Sequence, residues 1–442
     1  MKFFDQRALR DGVTKREVLS WAAYDFANSG YTTVVLTAVF SAYFVSLVAG
    51  DAEWATFLWT FILAVSNLAL MLTLPSIGLR VDTRGSRKHW LLGATLLCVA
   101  CVVGLHRVGA GDIALAVTLV MVSNYCFSLG ETLCAAYLPE LARPEAMGRV
   151  SGWGWSFGYV GGMLTLGLSL AWVSWVQGQG GGAADFVPGT MLITAGVYLL
   201  AALPMFLCVR ERAEPRPQEA SRLPYSLFDW RLAWVRIRDF ADYRLFLLVG
   251  FFFNAGVFVV ITLTAVYAAQ VMGFETADTM RLFFVVNIAA AAGAFLFGYL
   301  EDRIGHRWTL VLTLLGWIAV VGVAVSSRTV EAFWGAATLA GICMGASQSA
   351  GRALAGAMAP SHRLGEFYGL WSFAVRSAAI IGPLTYGAIS WATAGNHRLA
   401  LLCTGIFFVV ALVLLFCVNI QRGIIRARAD DDAAISAAAS EH

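Results

Sequence analysis

The sequence predicts an all-α integral membrane protein with twelve transmembrane helices arranged as two six-helix bundles. Three observations lead to this prediction: an apolar composition, twelve apolar runs of spanning length, and a loop motif that occurs once in each half. Of the 442 residues, 59% are hydrophobic and only 13% are charged. Soluble domains carry about 25% charged residues, so this chain has too little charge to cover a globular surface. Its remaining apolar surface is expected to face lipid.

Each predicted span supplies roughly the 20 apolar residues that cross about 30 Å of hydrocarbon. Arginine and lysine concentrate on the side of the chain ends, and only Arg107, Arg281, Arg328 and Arg398 lie in the opposite loops. By the positive-inside rule, both termini are expected in the cytoplasm, with the protein in the plasma (inner) membrane. The first six predicted spans are Val18–Val48, Trp54–Ile77, His89–His106, Ile113–Leu138, Val150–Val176 and Val187–Val209. The second six are Leu245–Val271, Leu282–Leu300, Trp308–Val325, Ala332–Met358, Phe367–Ala394 and Leu399–Ile420.

The longest polar stretch separates the first six spans from the last six. Within it, residues 228–240 place aromatic and aliphatic residues at helical spacing with arginines around them. This pattern favours a short helix along the inner membrane face, and an unstructured loop is the alternative. The predicted units are an N-terminal bundle (1–209), a cytoplasmic linker (210–244), a C-terminal bundle (245–420) and a cytoplasmic tail (421–442).

A loop motif is repeated after the second and eighth spans. The first copy contains Gly78, Asp82, Gly85 and Arg87, and the second contains Gly298, Asp302, Arg303, Gly305 and Arg307. The glycines allow a tight turn between two helices, and the aspartate can face the positive N-terminus of a neighbouring helix. A charged loop that only sets topology is the alternative. Internal repeats are common in transporters whose two bundles rock around a central site.

The repeated loop resembles the signature of the major facilitator superfamily. That resemblance implies the major facilitator fold, and it implies that the loops latch the two bundles together on the cytoplasmic side. Longer runs resemble the vacuole-effluxer-like branch of the superfamily, whose yeast member exports amino acids from the vacuole. These runs begin at Trp21, Leu138, Gly148, Gln348 and Arg376. The resemblance implies a secondary transporter for a small, amino-acid-like solute.

Four charged residues lie inside predicted spans, where a charge costs roughly 2.5–3.5 kcal/mol at the bilayer centre. Asp25 and Glu131 belong to the first half, and Arg352 and Arg376 belong to the second. An arginine could anchor a carboxylate with two hydrogen bonds, and a buried acid could carry a coupling proton. Alternatively, the acids and arginines pair as structural or gating salt bridges. Further candidates for substrate binding or coupling are Asn28, Asn124, Asn254 and Gln348.

Other classes of function have little support in the sequence. No nucleophile motif, phosphate loop or pair of histidines occurs, so no catalytic residue, cofactor or metal site is predicted and an enzyme is not expected. No polybasic stripe is present, so no nucleic-acid partner is expected. The expected partners are a small-molecule substrate, protons as the candidate coupling ion, and the lipid bilayer around a monomer.

The sequence therefore favours alternating-access transport of a small solute, as proton-coupled efflux or as facilitative transport. The alternatives are import of another small anionic or zwitterionic metabolite, and a non-transporting membrane receptor.

Overall fold

The computed structural model describes residues 4–50, 52–212, 235–272, 276–327, 329–393 and 396–440, with side chains omitted for 262–280 and 437–440. Within these ranges the chain is almost entirely helical. The only bridge between extended residues in this part of the chain joins Leu9 and Ala142. The all-α prediction is therefore confirmed.

Twelve long helices, α1–α12, follow one another within the described residues. They are Lys15–Val48, Ala55–Arg84, Arg87–Leu105, Ile113–Ala135, Met147–Gly178, Ala183–Cys208, Ala241–Met272, Thr276–Ile304, His306–Ser326, Val330–Ala357, Leu364–Ala392 and His397–Cys417. Eleven of these contain segments long and apolar enough to cross a membrane. The other, α11, carries Glu366 and Arg376 among its apolar residues. Each of the twelve predicted spans thus has a helix at its position.

The buried apolar residues form two principal clusters, one largely within α1–α6 and the other largely within α7–α12. Small residues let helices approach at their backbones. A Cβ atom on Gly161 of α5 would lie 2.3 Å from the carbonyl oxygen of Phe26 on α1. A Cβ atom on Gly345 of α10 would lie 1.9 Å from the carbonyl oxygen of Ala290 on α8. Side chains at these glycines would push the helices apart.

The second half of α1 departs from regular α-helical geometry. It contains π-helical turns at Thr32–Ala38 and at Phe44–Val48. Thr33, inside the first of these turns, donates from its hydroxyl to the carbonyl oxygen of Ser29 at 2.8 Å. Wide turns of this kind often mark functional positions in helices, and the hydrophobic pattern of the sequence did not predict them.

Two segments at the chain ends were not predicted as structured. Residues 4–13 pack against the α4–α5 connection, and a thirteenth helix, α13, covers Ile420–Ser440. Both lie at the end of the bundle that carries the loops after α2 and α8, which we call the terminal face. The linker helix predicted at 228–240 lies mostly outside the described residues; in its described part, Ile237 and Phe240 are buried.

Candidate functional site

A first ion pair joins α1 to α10 between the two halves. Arg352 Nη1 donates to Asp25 Oδ2 at 2.6 Å. The same guanidinium donates from Nε to Ser151 Oγ at 3.1 Å and from Nη2 to the Ser151 carbonyl oxygen at 2.7 Å. The side chains of Arg352 and Asp25 are only 8% and 12% exposed. These hydrogen bonds compensate charges that are largely removed from water.

Two tryptophans enclose this pair. The Arg352 guanidinium lies 4.9 Å from the ring centroid of Trp21 and 5.4 Å from that of Trp155. The Trp21 indole N–H donates to the carbonyl oxygen of Cys134 at 2.9 Å, which fixes its ring against α4. A cation facing aromatic rings in a desolvated place is stabilised by the ring quadrupole. The first pair therefore sits in a closed aromatic compartment.

A second ion pair joins α4 to α11. Arg376 Nη2 donates to Glu131 Oε2, and the guanidinium lies 6.0 Å from the ring centroid of Phe127. Next to it, the Thr132 hydroxyl donates to Ser372 Oγ at 2.9 Å. Because α11 begins at the terminal face, Arg376 lies about 18 Å along the helix, near the middle of a span.

The second pair is the more accessible of the two. The Glu131 side chain is 38% exposed and that of Arg376 is 13% exposed. Arg376 Nε is buried and has no hydrogen-bond partner among the described residues. The pair therefore combines an accessible carboxylate with an arginine that has an unused donor.

The predicted amide side chains have different surroundings. Gln348 Oε1 accepts from the Tyr159 hydroxyl at 2.8 Å and so links α10 to α5. Asn28 instead accepts from the Tyr198 hydroxyl at 2.7 Å within the first half. Asn254 donates to the carbonyl oxygen of Gly250 in its own helix at 2.8 Å. Asn124 is buried on α4, two turns before Glu131. Of these four side chains, Gln348 makes a described contact across the halves.

The first loop motif places Asp82 against the start of α11. Asp82 Oδ1 accepts from the Gly365 N–H at 2.9 Å, and Oδ2 accepts from the Glu366 N–H at 2.8 Å. Arg87 donates to Asp82 Oδ1 at 3.2 Å and to Glu140 Oε1 at 2.6 Å. Both Asp82 and Arg87 are buried. A carboxylate of the first half thus caps the N-terminus of a helix in the second half.

The second motif makes the reciprocal contact with α5. Asp302 Oδ1 accepts from the N–H groups of Gly148 and Arg149 at 3.1 and 3.3 Å, and Oδ2 accepts from Arg149 Nε at 2.5 Å. Arg303 is exposed. Arg307 donates to the carbonyl oxygen of Val418 rather than to Asp302. The two copies therefore share the aspartate contact but differ in the use of their basic residues.

The motif glycines occupy positions that exclude side chains. Gly85 and Gly305 have positive φ angles of 57° and 85°, a region that favours glycine. A Cβ atom on Gly78 would lie 2.2 Å from a carbonyl oxygen of α11, and one on Gly298 would lie 2.7 Å from a carbonyl oxygen of α5. The two halves consequently meet at their backbones beside both aspartates.

Several participating residues were not identified as site residues from the sequence. Trp21 precedes Asp25 by four residues, so the two share a helix face, and this spacing was an available signal. The sequence carried no comparable signal for Ser151 or Glu366, since a serine or glutamate near a helix start is common. Glu366 is buried and accepts from Arg363 at 2.9 Å and from Arg236 at 3.2 Å.

We expect Asp82→Asn to loosen the terminal face while the protein still folds. The amide removes the charge that faces the α11 N-terminus, an interaction worth up to about 2 kcal/mol when partly buried. The measurement is the rate at which a thiol reagent modifies Cys134, which is fully buried on α4, after all other cysteines are replaced. Glu145→Gln, an exposed change on the same face, is the control. If both variants are labelled at the same rate, Asp82 does not hold the terminal face closed, and the loop only sets the membrane topology.

Solved structures with the same architecture include two transporters. The human organic anion transporter MFSD10 (TETRAN) has a TM-score of 0.69 and 15% identity, covering 90% of this chain and 98% of that chain. The major facilitator superfamily proton:xylose symporter XylE has a TM-score of 0.68 and 15% identity, covering 91% of this chain and 94% of that chain. At these identities the likeness concerns the fold alone, and it confirms the predicted major facilitator fold.

Relatives in sequence point to a narrower group. The MFS-type transporter YxiO of Bacillus subtilis is 27% identical over 413 residues, which cover 91% of this chain and 94% of YxiO. Autophagy-related protein 22-1 of Penicillium rubens is 23% identical over 62% of this chain and 50% of that protein. The family described as "Vacuole effluxer Atg22 like" matches residues 53–428. The chain therefore belongs to the vacuole effluxer Atg22-like family, a branch of the major facilitator superfamily transporters.

Proposed function

We propose that this transporter exports a small, amino-acid-like zwitterion by alternating access, with residues 1–209 and 245–420 moving around the central pathway. One observation carries the proposal: Glu131 and Arg376 present opposite charges from opposite halves at mid-membrane depth, and Glu131 is partly exposed. A zwitterion carries the complementary pair of charges at its two ends. The solute crosses unchanged, so the proposal involves no catalysis.

The proposed binding mode divides the solute between the two halves. Its carboxylate binds the planar guanidinium of Arg376, which can donate two parallel hydrogen bonds and has an unused Nε. Its ammonium group binds the Glu131 carboxylate. Phe127, against which Arg376 packs, borders the same space. Binding of the solute would thereby replace the Glu131–Arg376 ion pair by two charge-assisted contacts, one to each residue. The net charge of the site would stay the same.

Protons are the proposed coupling ion. Partly exposed carboxylates within membrane spans are typical of proton pathways in transporters, and Glu131 is such a carboxylate. The enclosed Asp25–Arg352 pair is proposed to act as a gate beneath the solute, since it joins α1 and α10 and is shielded by Trp21. Asn124 and Gln348 remain candidates for lining the pathway.

The loop motifs are proposed as a latch that closes the terminal face in the outward-facing state. Asp82 and Asp302 support this role because each caps a helix of the opposite half. The terminal face is proposed to lie on the cytoplasmic side of the plasma membrane, because the basic residues of the chain concentrate there. A monomer is sufficient for this mechanism, since both halves belong to one chain.

The binding mode is tested by ligand-induced stabilisation of the purified protein. The twenty L-amino acids are screened for a rise in melting temperature, and each hit is compared with its amide and with its desamino acid. We expect both analogues to lose the effect, because each lacks one charge. A desamino acid that stabilises as well as its parent would favour the anion alternative.

Arg376→Lys is expected to weaken the apparent affinity for a hit at least about tenfold, which corresponds to about 1.4 kcal/mol for the lost second hydrogen bond. Membrane insertion and the melting temperature without ligand should stay close to those of the unmodified protein. Arg107→Lys, at an exposed arginine outside the pathway, is the matched control. Ligand stabilisation that survives intact in Arg376→Ala would remove Arg376 from the binding site.

A further inference from the structure

The C-terminal helix α13 lies across the terminal face of the second half. Near its start, Arg422 pairs with Asp242 of α7 through Nε–Oδ2 and Nη2–Oδ1 distances of 2.5 and 2.8 Å. One turn later, the Arg426 guanidinium lies 5.3 Å from the ring centroid of Phe240. These contacts fix the helix against the beginning of α7.

One turn beyond Arg426, α13 reaches the connection that immediately precedes α11. Asp431 accepts from the Ser361 N–H at 2.8 Å, and His362 Nδ1 lies 2.7 Å from Asp431 Oδ1. Arg363 Nη1 lies 3.5 Å from Asp430 Oδ2. Although burial opposes it, the hydrogen bonds from His362 and Ser361 lower the pKa of Asp431 below its usual value, so its carboxylate is charged at neutral pH.

That connection leads directly into the latch contact. Arg363 donates to Glu366 through Nε and Nη2, each at 2.9 Å. The N–H groups of Gly365 and Glu366 are the donors that bind Asp82. A continuous chain of charged contacts therefore runs from the C-terminal helix to the turn that receives the latch carboxylate of the first half.

The N-terminal segment occupies the equivalent place in the first half. The Arg10 N–H donates to the Leu141 carbonyl oxygen, and the Arg143 N–H donates to the Ala8 carbonyl oxygen, both at 3.0 Å. Arg143 Nε adds a bond to the Leu9 carbonyl oxygen at 2.7 Å. This segment thus holds the α4–α5 connection, and the next turn of α5 supplies the N–H groups that bind Asp302.

We propose that the two ends of the chain are positioning clasps for the latch. Each end holds the connection before the helix whose first turn receives a latch aspartate, and the two ends do so by unrelated means. Residues 4–13 use a backbone bridge together with the contacts of the Arg143 side chain to Leu9 and Asp11, whereas α13 uses Asp430 and Asp431. The inference rests on the proposed latch role of Asp82 and Asp302. Releasing either clasp raises the fraction of molecules open at the terminal face.

The competing explanation for these contacts is that the two chain ends only shield the ends of the loops from solvent. A shielding helix needs no particular charge at Asp430 or Asp431, because its own Arg422 contact already holds it in place. A clasp requires the two carboxylates. The explanations therefore differ in the effect of removing charge without removing the helix.

The test uses Cys134 labelling of the purified full-length chain in nanodiscs, with all other cysteines replaced. The double substitution Asp430→Asn/Asp431→Asn should accelerate labelling about fivefold, the factor that corresponds to about 1 kcal/mol. Asp432→Asn makes the same Asp-to-Asn change at the next, exposed position of α13, where it removes one charge, and should leave the rate unchanged. Should the double variant fail to fold, His362→Ala removes the side-chain contact with Asp431 and leaves the sequence of α13 intact. Equal rates in the clasp and control variants would overturn the proposal.

The N-terminal clasp is tested separately with Arg143→Ala, for which the exposed Arg7→Ala is the control. We expect faster labelling only in Arg143→Ala. Asp82→Asn is measured alongside both pairs. If Asp82→Asn accelerates labelling and the clasp variants do not, the clasps are refuted and the latch stands. If none of them accelerates labelling, the latch and the clasps fail together.

Discussion

Arg352→Ala is expected to destabilise the purified protein by about 3–5 kcal/mol, because it leaves the Asp25 carboxylate buried without its partner. The change also removes the two hydrogen bonds to Ser151 and the guanidinium between Trp21 and Trp155. The measurement is the melting temperature in detergent, followed by intrinsic tryptophan fluorescence. It needs no knowledge of the transported solute.

A double substitution separates the unpaired charge from the loss of packing. Asp25→Asn/Arg352→Gln removes both charges while keeping polar side chains at both positions, and we expect it to recover most of the lost melting temperature. Arg107→Ala, which removes an exposed guanidinium, should have little effect. If the destabilisations by the single changes Asp25→Asn and Arg352→Gln simply add in the double variant, the pair has no energetic coupling.

Gly78→Ala is expected to prevent the terminal face from closing. Its Cβ atom would lie 2.2 Å from the carbonyl oxygen of Gly365, and backbone on both sides prevents a local adjustment. Overpacking of this kind costs about 1–3 kcal/mol. Applied to one conformation, that cost shifts the equilibrium about 5- to 150-fold. We therefore expect faster Cys134 labelling and loss of transport of any solute identified by the stabilisation screen.

The control for this steric argument is another helical glycine that becomes alanine. Gly93 on α3 has no atom within 4 Å of its ideal Cβ position, so Gly93→Ala should fold, label and transport normally. Normal labelling in Gly78→Ala would mean that α2 and α11 do not depend on this close approach.

The fold could be predicted from the sequence because the lipid bilayer requires long apolar helices and disfavours charges within them. Twelve apolar runs and the placement of arginines led to the twelve helices, and the repeated loop led to the superfamily. The same rule did not predict α13, because Asp430, Asp431 and their neighbours resemble a solvated tail. It also did not reveal the π-helical turns of α1, since hydropathy carries little information about backbone pitch.

The pairing of charges could not be decided from the sequence. Asp25 and Arg352 are 327 positions apart, and Glu131 and Arg376 are 245 apart, so their contacts depend on how the two halves meet. The sequence left two alternatives for these charges, namely salt bridges and contacts with the solute. The structure contains the salt bridges, and the roles of these residues in transport are proposals. Asn28 shows a further limit, because its helical position alone did not indicate that it faces Tyr198 within its own half.

The division of charge between the halves has an electrostatic consequence. The acids of the two central ion pairs, Asp25 and Glu131, come from the first half, and their partners, Arg352 and Arg376, come from the second. In the proposed cycle, separation of the halves would give the pathway a negative wall opposite a positive wall, and the low-dielectric helices around it would focus the field between the two walls. Under the proposed function, a molecular dipole that enters would turn its positive end towards α1 and α4 before any contact forms. An ion of a single sign is instead drawn to one wall.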